Sequence, residues 1–102
     1  MGIQRIVKMT FKEEHCMDFE NYFESIKDKV AGQPGCSGVK LLKDVAENGV
    51  YFTYSYWQSQ SDLNAYRNTS LFGAVWPKVK KWFADKPEAW STQVVTTSNS
   101  EN

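Results

Sequence analysis

Residues 50–76 read VYFTYSYWQSQSDLNAYRNTSLFGAVW, and the first eight of them decide the architecture. As a strand they place Val50, Phe52, Tyr54 and Tyr56 on one side, and Tyr51 and Trp57 beside Thr53 and Ser55 on the other. A half-exposed strand alternates apolar with polar side chains; this one carries rings at both parities and so calls for cover on both faces. A chain of 102 residues can hardly provide two covers by itself. Downstream, a short helical segment holds Tyr66 and a second holds Phe72 and Trp76, so rings from three consecutive elements are expected to converge on one apolar cleft.

Before this stretch, Asn48-Gly49 is a strong hairpin signal and ties it antiparallel to a strand over Cys36–Val45, in which Gly38 suits a bulge. Upstream again, Gln33-Pro34-Gly35 makes a turn, and Gly32 suits a left-handed helix end. From Cys16 to Ala31, Phe19, Tyr22, Phe23, Ile26 and Val30 recur at helical spacing and draw one apolar stripe. The first strand, residues 3–11, puts Ile3, Val7, Met9 and Phe11 on one parity, a row broken only by Arg5.

After the aromatic strand, Ser59-x-x-Asp62 starts a short helix that Asn68, Thr69 and Ser70 interrupt. A third helix follows from Leu71 to about Ala84, with a kink or broken turn expected at Trp76 because Pro77 lacks an N–H and disfavours helical geometry before it. Pro87 closes that segment, Ala89–Thr96 forms a fourth strand, and a polar tail follows. The order is βαββαβ. Right-handed crossovers place both helical elements on one side of a four-stranded antiparallel sheet, an α+β, ferredoxin-like arrangement. The bare face is then expected to meet its copy in a second subunit, giving a homodimer.

Composition narrows the function. Twelve basic residues balance twelve acidic ones, so the field that holds nucleic acid is missing. Lys78, Lys80 and Lys81 alternate with Val79, Trp82 and Phe83 as a solvated helix face does. No run approaches the ~20 apolar residues of a membrane span, and the N-terminus lacks a signal peptide's apolar core. A cytoplasmic protein without nucleic-acid or membrane partners is expected. Cys16 and Cys36 flank a helix of about 15 residues, which separates them by about 20 Å, too far for a disulfide. The only histidine, His15, gathers no further ligands, so no metal site is expected. An aromatic content of 15% is high and needs a core, an interface or a pocket to hold it.

Gln-Pro-Gly-Cys-Ser-Gly at 33–38, Tyr-x-x-Trp-Gln-Ser at 54–59 and Leu-Phe-Gly-Ala-Val-Trp-Pro at 71–77 together resemble the antibiotic biosynthesis monooxygenase (ABM) family. The resemblance runs from Ile3 to about Thr96, which makes residues 1–97 one domain and 98–102 a tail. It implies a dimeric α/β barrel with one cleft per subunit. It also implies activities that range from cofactor-independent oxygenation of polycyclic aromatics to heme degradation. The heme-degrading branch uses an Asn, a Trp and an axial His at positions that fall here on Val7, Tyr66 and Trp76. Indole nitrogen only donates, so Trp76 cannot replace the imidazole, and heme breakdown is disfavoured.

The oxygenase reading needs no cofactor, because an electron-rich phenol, quinol or anthrone can itself reduce dioxygen once deprotonated. Catalytic candidates are Tyr66, Trp76 and Tyr54; Val7, Phe52 and Phe72 complete the expected lining, with Asn64 and Arg67 as polar additions. None is an obvious general base at neutral pH. Each also has a plainer reading. Phe52 and Tyr54 serve equally as core, Trp57 as packing at the dimer face, and Tyr66 and Trp76 as filling around the helices. A non-catalytic module for a small hydrophobic ligand fits the same residues.

Overall fold

The computed structural model describes residues 2–98. β1 (Ile3–Thr10) leads through a 3-10 turn at Glu13–His15 into α1 (Cys16–Ala31), followed by β2 (Cys36–Lys43), β3 (Val50–Trp57), α2 (Gln60–Arg67), α3 (Ser70–Lys80) and β4 (Glu88–Thr92). The strands form one antiparallel sheet in the order β2-β3-β1-β4. This is the ferredoxin-like α+β fold that the element order implies, with β1 and β3 central. Of the polar tail, residues 99–102 lie outside the described residues.

The register decides which side chains meet the helices. Ile3, Val7 and Met9 of β1 pair with Trp57, Thr53 and Tyr51 of β3, and Arg5 pairs with Ser55. Paired residues share a face, so the apolar row of β1 carries the odd-numbered side of β3 under the helices with it. Tyr51 and Trp57 are accordingly 1% and 2% exposed. Phe52, Tyr54 and Tyr56 stand on the opposite face, registered with Lys8, Ile6 and Gln4. The structure thus reverses the expected sides: Trp57 packs under the helices, and Tyr54 and Phe52 lie on the open sheet face.

α1 lies along the sheet with Phe19, Phe23, Ile26 and Val30, all buried. Phe11 stacks on Phe19 with centroids 4.1 Å apart, and Tyr51 meets both rings edge-on at 5.6 and 5.5 Å. The Tyr51 hydroxyl donates to Glu20 of α1. Burial first, and then that hydrogen bond, push its pKa far above the usual tyrosine value.

Several local expectations change. The β2–β3 loop spans residues 44–49 and is not a two-residue turn; Asp44 Oδ1 accepts from the backbone N–H of Ala46 at 2.9 Å and of Glu47 at 3.4 Å, and these bonds build the wider loop. Gly49 (φ 85°) still ends it, where a Cβ would stand 2.8 Å from the Phe11 carbonyl oxygen. Gly32 closes α1 with φ −83°, not left-handed, because its N–H is held by the Asp28 carbonyl at 3.0 Å in a helical continuation. Of the kink or broken turn expected at Trp76, the break does not occur: α3 continues through Pro77. The helix stops at Lys80 because Phe83 is drawn into a bridge with Phe11. β4 is shorter than expected, Glu88–Thr92.

Candidate functional site

α2 and α3 are positioned by caps and one close approach. Ser59 Oγ accepts from the Asp62 N–H at 3.1 Å and donates to the Asp62 carboxylate at 3.0 Å, which starts α2 as its Ser-x-x-Asp pattern implies. Thr69 Oγ1 donates to the Tyr66 carbonyl at 2.6 Å and accepts from the Phe72 N–H at 3.2 Å, so one side chain ends α2 and begins α3. Gly35 (φ 81°) packs so closely on Asp62 that any Cβ there would collide with the carboxylate. The Gln-Pro-Gly-Cys turn therefore seats the start of α2 against the sheet.

Between the sheet and these helices lies a cavity of about 440 Å³. Its floor is Val7, Met9, Thr53 and Ser55; α1 supplies Phe23 and Ile26; α2 and α3 supply Leu63, Tyr66, Phe72, Val75 and Trp76; Arg5, Arg67 and Ala89 also line it. The rings form a continuous series. Trp57 stacks on Tyr66 at 5.0 Å, Tyr66 meets Phe72 edge-on at 5.3 Å, Phe72 stacks on Trp76 at 6.0 Å, and Trp76 meets Phe83 edge-on at 5.7 Å. A more open hollow of about 600 Å³ lies by Gly2–Gln4 and Gly35–Ser37, with Trp57 as the only residue of the ring series among its walls.

Val7, Tyr66, Phe72, Trp76 and Arg67 come together in the cavity between the sheet and the helices. Tyr54 and Phe52 do not, because their parity points them away from it. Asn64 is also elsewhere. On a helix that turns Leu63 and Tyr66 inward, position 64 faces out, and its side-chain oxygen accepts from Gln60 Nε2 at 3.0 Å. Sequence reasoning missed Arg5, Thr53 and Ser55 as lining. The signal for Arg5 was its place as the one charged residue in an apolar row; Thr53 and Ser55 gave none beyond their size.

The Tyr66 pKa is raised to about 12, chiefly by burial, with Cys36 and Tyr22 adding to the shift. Its hydroxyl therefore stays protonated at neutral pH and serves as a hydrogen-bond donor. His15, held by Asp18 at 2.9 Å and stacked on Trp82 at 6.1 Å, lines no part of the cavity. Among the described residues no group of three or more His, Cys, Asp and Glu side chains is arranged to hold a metal ion. Val7, Tyr66 and Trp76, the positions the heme-degrading branch uses, do meet here, and no histidine lines the cavity, so the imidazole ligand of that branch has no counterpart among these residues.

A four-stranded antiparallel sheet roofed by helices, with an aromatic cavity between the layers, defines a ferredoxin-like α+β protein. The family model for antibiotic biosynthesis monooxygenase matches residues 3–78, and the chain belongs to that family. Solved structures share the fold. A conserved protein from Methanosarcina mazei Go1 superposes with TM-score 0.86 at 15% identity, over 91% of this chain and 92% of that one. A candidate antibiotic biosynthesis monooxygenase from Caulobacter crescentus CB15 gives 0.85 at 24% identity, over 93% and 91%. A variant of SnoaB, a cofactor-independent oxygenase from Streptomyces nogalater, gives 0.83 at 16% identity, over 94% and 95%. A sequence search of curated proteins finds no significant match.

Proposed function

We propose that this chain is a cofactor-independent monooxygenase of the ABM type, acting in the cytoplasm on a small planar phenol, quinol or anthrone-like compound. The observation that carries the reading is the Tyr66–Phe72–Trp76 ring series along one wall of a cavity of about 440 Å³ between the sheet and the helices. That volume lies within the ~300–1,000 Å³ of small-molecule sites. A flat ring can lie against Phe72 and Trp76 while the Tyr66 hydroxyl donates to its oxygen, stabilising the electron-rich anion that reacts with dioxygen. One oxygen atom ends on the ring carbon as a carbonyl; the other leaves as water with the two hydrogens the substrate loses. Tyr66, kept protonated, is an anion stabiliser and not the base, so the substrate's own acidity supplies the anion. Oxygen uptake with an anthrone checks this: Tyr66→Phe should lower kcat by on the order of 10²-fold, as loss of one such donor does. Equal turnover in wild type and variant would remove the role.

Among the described residues Glu88 is the one carboxylate residue along the cavity and stands on the parity away from Arg5 and Val7, which favours a second reading, a non-catalytic binding module for a hydrophobic ligand. It predicts ligand retention with no dioxygen consumed.

The working unit is a homodimer in this proposal. Ile6, Phe52, Tyr54 and Trp90 share the face away from the helices, where Trp90 is 43% exposed. A two-fold twin laid face to face would remove these rings from water. Tyr54→Lys should convert a dimer to a monomer in sedimentation at micromolar concentration; a wild-type monomer there would contradict the assembly.

A further inference from the structure

We propose that Arg5 and Arg67 together clamp the carboxylate of a planar aromatic acid whose ring lies against Tyr66, Phe72 and Trp76. The inference rests on the cavity being the ligand site and narrows its ligand class to hydroxyaryl carboxylates.

Arg5 interrupts the apolar inward row of β1 one step before Val7, and Arg67 follows Tyr66 on α2; both line the cavity. A half-buried charge in an apolar row is costly unless something answers it. Arg5 Nη1 donates to Ser91 Oγ at 3.0 Å, which steadies the guanidinium while using one of its five N–H donors. Among the described residues neither arginine forms an ion pair: the pairs are His15–Asp18, Lys27–Glu24 and Lys43–Glu20. Glu88 is the one carboxylate residue along the cavity, but its register partner is Lys8, on the other parity from Arg5. Burial and then the nearby positive charge of Arg67 lower the Arg5 pKa, consistent with two unpaired cations beside the same cavity. A bound carboxylate relieves that repulsion, and the guanidinium fork matches its two oxygens. The ring series next to it sets the flat apolar remainder.

The probes are 2-naphthoate and its neutral isostere 2-naphthamide, titrated calorimetrically at pH 7 and low salt. Wild type should bind the naphthoate at least about tenfold more tightly, the scale of a charge-assisted pair. Arg67→Gln, at an exposed position, should narrow the gap, and Arg5→Gln with Arg67→Gln should close it, while 2-naphthamide binding changes less than about twofold. Should Arg5→Gln unfold the chain, Arg67→Gln alone decides. Equal affinity for the two compounds in wild type, or a preference that survives in the variants, overturns the clamp. Amide binding that weakens in Trp76→Ala keeps the cavity reading alive even when the clamp fails; binding of neither compound removes both.

Discussion

The two ends and the middle of one row of side chains behave differently. On the helix-covered side of β3, Tyr51 and Trp57 stand at the ends and are buried, while Thr53 and Ser55 between them line a cavity. At the hairpin end the space over the sheet is filled by Phe11, Phe19 and Tyr51 in ring contact. Over Thr53 and Ser55 the helices still arch across, but the short side chains leave about 440 Å³ below them. Packed core and open cavity are thus separated along a strand of eight residues, and the separation is one of side-chain volume. Trp57, buried at the far end, borders the cavity through its neighbours: its indole N–H donates to Ser55 Oγ at 2.8 Å while its ring stacks on Tyr66.

The strongest way to break this comparison is to empty the packed end. Tyr51→Ala should cost about 3–5 kcal/mol, as large aromatic truncations in cores do, read from the urea midpoint. A loss below about 1 kcal/mol would mean that the filled end is not what holds the sheet to α1. The converse change fills the cavity. Thr53→Phe should abolish binding of an aromatic ligand while altering stability by about 1 kcal/mol or less, because the new ring enters space already present. Undiminished binding would place the ligand elsewhere.

The smallest effect concerns alkaline pH. Tyr66 has a folded pKa of about 12 against about 10 in an unfolded chain. The folded state therefore holds the proton more tightly, and the resulting stability is complete below about pH 10 and is lost as pH rises toward 12. Tyr51 acts in the same direction. Urea unfolding at pH 9 and pH 11 should show a drop in wild type that Tyr66→Phe partly removes. An identical drop in the variant would assign the alkaline loss to Tyr51 and other groups.

Much of the fold was legible in the residues. The spacing of Phe19, Phe23, Ile26 and Val30 marked α1 to its observed ends, and Ser59-x-x-Asp62 marked the start of α2. Tyr66, Phe72 and Trp76 were also readable as neighbours of one cavity, because consecutive elements carry them, while Val7 was readable only through the family resemblance. The side of β3 that met them was not. Rings at both parities make either face a plausible interior when the strand is read alone. What chose between them was the pairing of β3 with the apolar row of β1, a contact nearly fifty residues apart in the chain that alternation within β3 does not encode.

By itself, then, the sequence determined which segments coil, which extend and in what order they connect, since these follow from local periodicity, caps and turn residues. Tertiary structure alone decided that Thr53 and Ser55, and not Tyr54 and Phe52, lie beneath the helices, and that Arg5 and Arg67 line the same cavity. Those outcomes depend on inter-strand register, and a register shift of one residue exchanges every side chain between the two faces.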